Sequence, residues 1–195
     1  MKFMLRILIV LYLLIFSLNL FAQNKYGAFG APSIKYTSIS NRGTLISGGK
    51  FGLVINKSIV LGGGFYGLLS GIKTNFIDVP SGQHIIMNMN YGGLDLEYIL
   101  FPCSIMHVSL EILLAGGGLY FAVPDKSVPH NSYSKYDLLV YEPSLNIEFN
   151  ASSWLHIDGN VSYRIITSYD YAAYGISKEN LTGISVGLIF KLGSY

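Results

Sequence analysis

The chain has 195 residues, 51% hydrophobic and 12% charged, with a formal net charge of +2 and one cysteine, Cys103. A near-neutral chain without a basic stripe is not a nucleic-acid binder, and one cysteine excludes an intramolecular disulfide. Past the first 22 residues no apolar run reaches the roughly 20 residues of a membrane helix, so the abundant apolar residues are interleaved with polar ones.

The N-terminus carries Lys2 and Arg6, then the uncharged apolar run ILIVLYLLIF at 7–16, then SLNLFA before Gln23. This pattern predicts a secretory signal peptide, 1–22, cut after Ala22. A lipoprotein anchor would place a cysteine where Gln23 stands. The remaining 23–195 is the length of one domain.

Turn residues and period-two alternation divide that domain into eight predicted strands: 27–38, 43–55, 58–70, 86–100, 104–121, 138–150, 153–167 and 181–193. Short turns fall at Asn56 and Lys57, at 101–103, and at Ala151 and Ser152. Longer connections are expected at 39–43, 72–85, 124–137 and 168–180. Short and long therefore alternate, as an up-and-down barrel with both termini on the periplasmic side requires.

The strands have two faces. In 153–167, Leu155, Ile157, Val161, Tyr163 and Ile165 oppose His156, Asp158, Asn160, Ser162 and Arg164. In 138–150, Tyr141, Leu145, Ile147 and Phe149 oppose Glu142, Asn146, Glu148 and Asn150, and in the last strand Val186, Leu188 and Phe190 oppose Ser185, Gly187 and Lys191. A strand that meets two solvents along its length, repeated behind an export signal, predicts lipid on the oily side. Tyr36, Tyr141 and Tyr163 are expected near the outer interface, and Tyr98, Phe149 and Phe190 near the periplasmic one. The glycine clusters 62–64, 92–93 and 116–118 precede no helix, which excludes a phosphate-binding loop.

The segment Ser185-Val186-Gly187-Leu188-Ile189-Phe190-Lys191-Leu192 resembles the β-signal by which the barrel assembly machinery recognises the last strand of outer-membrane proteins, with Ser185, Gly187, Phe190 and Leu192 at its patterned positions. Gly193, Ser194 and Tyr195 follow, where many such proteins end on the aromatic. With the signal peptide and the loop order, the chain is similar to the small eight-stranded outer-membrane barrels typified by OmpX and the membrane domain of OmpA. That resemblance implies an all-β fold, an eight-stranded antiparallel up-and-down transmembrane β-barrel in the outer membrane of a Gram-negative-type bacterium.

Ten charged residues fall on the inward parity: Lys35, Lys50, Asp95, Glu97, Glu111, Glu142, Glu148, Asp158, Arg164 and Lys191. An eight-stranded interior is just wide enough for side chains, and buried charges must pair, so these residues are expected to form a lumenal charge network. No catalytic, cofactor or metal site is expected; His107 and His156 face inward without a short ligand spacing, and His84 and His130 fall in outer loops. Those loops carry the Tyr, Ser and Asn suited to adaptable recognition. The expected role is structural or surface-interacting: a monomer in outer-membrane lipid, with outer loops available to a surface ligand. The alternatives are a narrow channel and a secreted lipocalin-like barrel, which would turn its apolar parity inward around an apolar ligand.

Overall fold

In the computed structural model the described residues are 26–79, 81–102, 105–123, 132–168 and 174–194. The expected signal peptide, 1–22, and Cys103 and His130 lie outside them. Nine strands are formed: β1 Tyr26–Ile39, β2 Arg42–Ile55, β3 Ile59–Leu68, β4 Ile72–Ile77, β5 His84–Leu100, β6 Met106–Ala122, β7 Ser132–Asn150, β8 Leu155–Ile166 and β9 Gly183–Ser194, with a single helical turn, α1, at Lys178–Leu181. All neighbours pair antiparallel. The pairing of β1 with β9, from Ala28 opposite Ser194 to Thr37 opposite Ser185, closes the sheet.

Nine strands make only eight staves. β3 pairs with the lower part of β5, Ile59 with Tyr98 through Gly67 with Asn90, and β4 takes over on the same strand above, Ile72 with Met87. Residues 69–71 interrupt the stave, and a Cβ at Gly71 would run into the Ile86 side chain. At β1–β2, Ser40 and Asn41 both have positive φ, a two-residue turn in place of the longer connection expected. At the opposite end Asn56 and Lys57, also in the left-handed region, make the predicted β2–β3 turn.

Three other expected loops are partly ordered elements. Much of 72–85 is β4 and the start of β5; 132–137 is the first part of β7; and 168–180 runs into α1, so the last strand begins at Gly183 rather than 181. Wall polarity explains the difference. Along β5, Leu94, Leu96 and Tyr98 are exposed while Asp95 and Glu97 are buried. Nearer the outer rim the alternation continues with its chemistry exchanged: Asn88 and Asn90 are exposed, and Ile85, Met87, Met89 and Tyr91 are buried. β7 does the same, with exposed Lys135 and Asp137 beside buried Leu138 and Val140. The staves therefore rise beyond the lipid as water-facing sheet around an apolar centre.

The interior is layered. Ile39, Ile46, Met87, Leu119, Phe121, Leu138 and Val140 fill the outer half, and the segment before β9 closes over them with Ile176 and Leu181. That segment is anchored by Ser40 N–H to Asn180 O at 3.0 Å and by Tyr174, whose ring lies 4.7 Å from Phe121 and edge-on to Phe76 at 5.8 Å. A smaller apolar group, Phe29, Ala31, Val54, Val60, Ile99 and Ile189, lies toward the periplasmic end of β1–β3, β5 and β9. The charged residues other than Arg164 lie below the outer apolar layer and beside this second group, Lys50 opposite Ala31, Glu97 opposite Val60 and Asp158 opposite Ile189.

Candidate functional site: a charged layer inside the barrel

Parity places the charged side chains, and the narrow bore brings them together. Lys50 on β2 points its Nζ at Asp95 Oδ2, Glu97 Oε2 and Glu111 Oε2, at 2.9, 3.0 and 2.9 Å. Lys191 on β9 does the same with Glu97 Oε1, Glu148 Oε2 and Asp158 Oδ2, at 2.8, 2.6 and 2.9 Å. Glu97 bridges the two lysines. Each ammonium thus sits in a carboxylate triad, where a cation in low dielectric is held by direct charge-assisted hydrogen bonds.

A third group lies toward the outer rim. Glu142 accepts from Lys35 Nζ at 2.6 Å, Ser162 Oγ at 2.7 Å and Tyr91 Oη at 2.8 Å, and the Lys35 ammonium lies 4.1 Å from the centre of the Tyr66 ring. Arg164 stands apart: its Nε donates to Leu181 O at 2.8 Å, tying the capping segment to the wall. Neutral polar groups fill the gaps. Ser109 Oγ donates to Glu97 at 2.5 Å, Asn146 Nδ2 to Glu111 at 2.7 Å, and Asn160 Nδ2 to Asn146 Oδ1 at 2.6 Å. These partners were not in the candidate set, although Ser109, Asn146, Asn160 and Ser162 share the inward parity of the acids beside them. Tyr66 and Tyr91 were hidden because aromatics on strands read as wall residues.

At the periplasmic mouth, His107 Nε2 lies 2.9 Å and His156 Nδ1 3.3 Å from the same Glu148 Oε1. His84 is exposed near the outer rim, its Nδ1 3.2 Å from Thr74 O. Of the C-terminal pattern, Ser185 is buried, Gly187 faces inward, and Phe190 and Leu192 are on the exposed wall. Gly187 lies against β1 at Lys35: a Cβ there would come within 2.5 Å of Ile34 O and 2.9 Å of Lys35 Cγ, so the close approach of β1 and β9 at this point requires glycine.

The outer wall carries Leu53, Leu61, Leu94, Leu110, Leu145, Ile147, Val161, Val186 and Leu188, all exposed, with Tyr36 and Tyr163 toward one end and Tyr98 and Phe149 toward the other. Water does not tolerate so continuous an apolar belt, whereas lipid requires it. This facing excludes the lipocalin-like alternative, in which the charged parity would be outside.

No family model matches the chain, and no curated protein matches it by sequence. Solved structures match its fold. Neisserial surface protein A (NspA) is 10% identical with a TM-score of 0.57, covering 88% of this chain and 97% of that one. The N-terminal β-barrel domain of Pseudomonas aeruginosa OprF is 10% identical with a TM-score of 0.53, covering 88% and 99%. Ail, the attachment invasion locus protein of Yersinia pestis, solved with the heparin analogue sucrose octasulfate, is 11% identical with a TM-score of 0.52, covering 88% and 98%. With its closed eight-stave wall, lipid-facing belt and charged interior, the chain has the fold of the small transmembrane β-barrels of the outer-membrane type.

Proposed function

We propose that the protein is a non-conducting barrel that works at its surface-exposed rim, presenting a rigid binding face from the outer membrane. The observation that carries this reading is the apolar layer, from Ile39 to Leu181, between the charged level and the outside. Ions would have to cross a dry hydrocarbon plug, which disfavours the narrow channel. Catalysis is not assigned, because the inward carboxylates of both triads are engaged by lysine. In this reading 1–22 directs export, the pattern at Ser185, Gly187, Phe190 and Leu192 directs assembly by the barrel assembly machinery, and the folded protein is a monomer in outer-membrane lipid.

The rim offers a defined place for a ligand. A cavity of about 230 Å³ lies above the β1–β2 turn, between β4 and the capping segment, lined by Asn41, Arg42, Lys73, Asn75, Phe76 and Tyr174 among others. Arg42 Nη1 donates to Lys73 O and Nη2 to Asn75 Oδ1 at 3.3 Å, which fixes the guanidinium at its edge. Two cations, amide side chains and two aromatic rings suit an anionic, hydroxyl-rich surface ligand. Ail, with the same fold, was solved with a sulfated sugar. Cells displaying the protein should bind heparin-coated beads, and Arg42→Glu combined with Lys73→Glu should abolish the binding while leaving surface abundance unchanged. Binding that is absent in the parent or unaffected in the variant, together with steady conductance from the purified protein, would replace this reading with the channel.

A further inference from the structure

Two cavities flank the β1–β2 turn. The one assigned above to the rim ligand lies between that turn, β4 and the capping segment. The other, of about 400 Å³, is lined by Ser38, Asn41, Tyr163, Glu179, Asn180 and Thr182 among others. Its lower edge is the outer wall, where Tyr163 and Ile184 pair across β8 and β9 and are 46% and 63% exposed. Ser40, Asn41 and Asn180 border both cavities, and the bond from Ser40 N–H to Asn180 O at 3.0 Å joins the turn to the capping segment at this shared border.

The two cavities carry opposite charge. Among the described residues, Arg42 and Lys73 line the first with no acid, whereas the second has Glu179 and no base. Apart from that carboxylate, the second is furnished with hydroxyls, amides and one ring. Thr182 Oγ1 accepts from Ile166 N–H at 3.2 Å and keeps its own proton to donate. Asn180 Oδ1 accepts from Ser177 N–H at 2.9 Å and Ser177 Oγ at 3.0 Å, which leaves its Nδ2 as a donor. The Ser40 hydroxyl, on the shared border, has no partner among the described residues.

Building on the anionic, hydroxyl-rich ligand proposed for the rim, we propose that the second cavity is a subsite for the adjoining sugar unit of that ligand, a unit without sulfate or phosphate. Side chains that donate and accept match sugar hydroxyls, which do both. The Tyr163 ring offers an apolar face to the C–H side of a pyranose. Glu179 rejects an anionic unit, because like charges brought together with partial loss of water repel. The first cavity alone accepts any polyanion. The pair selects a chain whose anionic unit stands next to an uncharged one, with the uncharged unit nearer the membrane. A free oligosaccharide and the headgroup of a glycolipid in the same leaflet offer that chemistry equally.

The test is a titration followed by amide NMR with the barrel in phosphatidylcholine nanodiscs. The probes are sucrose octasulfate, sulfated on both rings, free lactose sulfated on its galactose ring only, and that same sulfated lactose carried on a ceramide in the disc. Sulfated lactose should shift amides on both sides of the shared border, and octasulfate only those on the Arg42 and Lys73 side. Glu179→Lys should raise affinity for octasulfate relative to sulfated lactose by roughly threefold or more. Tyr163→Ala should weaken sulfated lactose by roughly three- to tenfold. Glu179 is exposed, so its replacement disturbs no packing, and it reads the same subsite if Tyr163→Ala does not fold. Binding of sulfated lactose only as the ceramide identifies the leaflet as its source, and binding of the free sugar identifies solution glycan; both support the subsite. Shifts confined to the Arg42 side, or an affinity ratio unmoved by Glu179→Lys, would overturn the subsite and leave the rim cavity standing. A parent that binds none of the probes overturns both.

Discussion

Arginine placed on the lipid wall gives a quantitative test of where the bilayer lies. Leu145 is 46% exposed on β7, midway between Tyr141 and Phe149. A rise of about 3.3 Å per residue on a strand tilted about 40° advances about 2.5 Å per residue along the membrane normal. Tyr141 and Phe149 then stand about 10 Å to either side of Leu145, within the half-height of a roughly 25 Å apolar band, and Asp137 about 20 Å away, beyond it. Leu145→Arg should therefore cost about 2–4 kcal/mol, Ile147→Arg slightly less within that range, and Asp137→Arg no more than about 1 kcal/mol. Equilibrium urea unfolding from lipid vesicles measures this, with Trp154, the only tryptophan, reporting from the β7–β8 turn. Equal costs at positions 145 and 137, or a cost below about 1 kcal/mol at 145, would refute the placement of the belt.

Lys191→Met leaves Glu97, Glu148 and Asp158 without their shared cation and should lower stability by about 3–5 kcal/mol in the same assay. Lys135→Met, whose ion pair with Asp137 is exposed and 4.0 Å long, should change it by less than about 1 kcal/mol. Planar bilayers containing purified protein should show no steady conductance, and replacing Leu119 and Phe121 of the outer apolar layer with alanine should be the most direct way to create one. Gly187→Val should reduce the yield of folded barrel, seen as loss of heat-resistant migration in unboiled gels, because its side chain would run into the β1 backbone at Ile34 and the stem of Lys35 where β1 and β9 close the barrel. Trimming 124–131 should leave the yield unchanged, whereas trimming 168–180 should lower it, since Ile176 belongs to the apolar layer.

The lower half of the barrel was legible because two signals agreed there: period two gave the strand, and lipid outside with charge inside gave the facing. Leu145 and Ile147 against Glu148 separate the two faces of β7, and the lipocalin-like alternative, which would turn the oily one inward, falls only to their exposure on the wall of the barrel. Above the bilayer the period persists while the chemistry exchanges sides, so Ile85, Met87 and Met89 carry the hydrophobicity of a wall and the position of a core. A rule equating apolar with outward misreads the facing there, and on β7 the expected start at 138 falls short of the observed one at Ser132. β4 is fainter still, because Lys73, Thr74 and Asn75 show no apolar alternation and its place is set by pairing with β5. In the charged layer, which residues point inward was legible, but who pairs with whom depends on staves far apart in the chain, as with Lys35 and Glu142, 107 residues apart. The convergence of His107 and His156 on Glu148 was invisible for the same reason.

The internal ions also act on what the sheet must not become. Sliding one stave by a single position turns its inner set outward. For β7 that slip would carry Glu142 and Glu148 into hydrocarbon and push Ile147 between lysines, and for β9 it would expose Lys191 to lipid. An interior of leucine and valine would forgive such an error, since either face would be oily. Here a one-residue slip of β1, β2, β5, β6, β7, β8 or β9 strands a charge, so the residues hardest to bury are the ones that hold the wall in register.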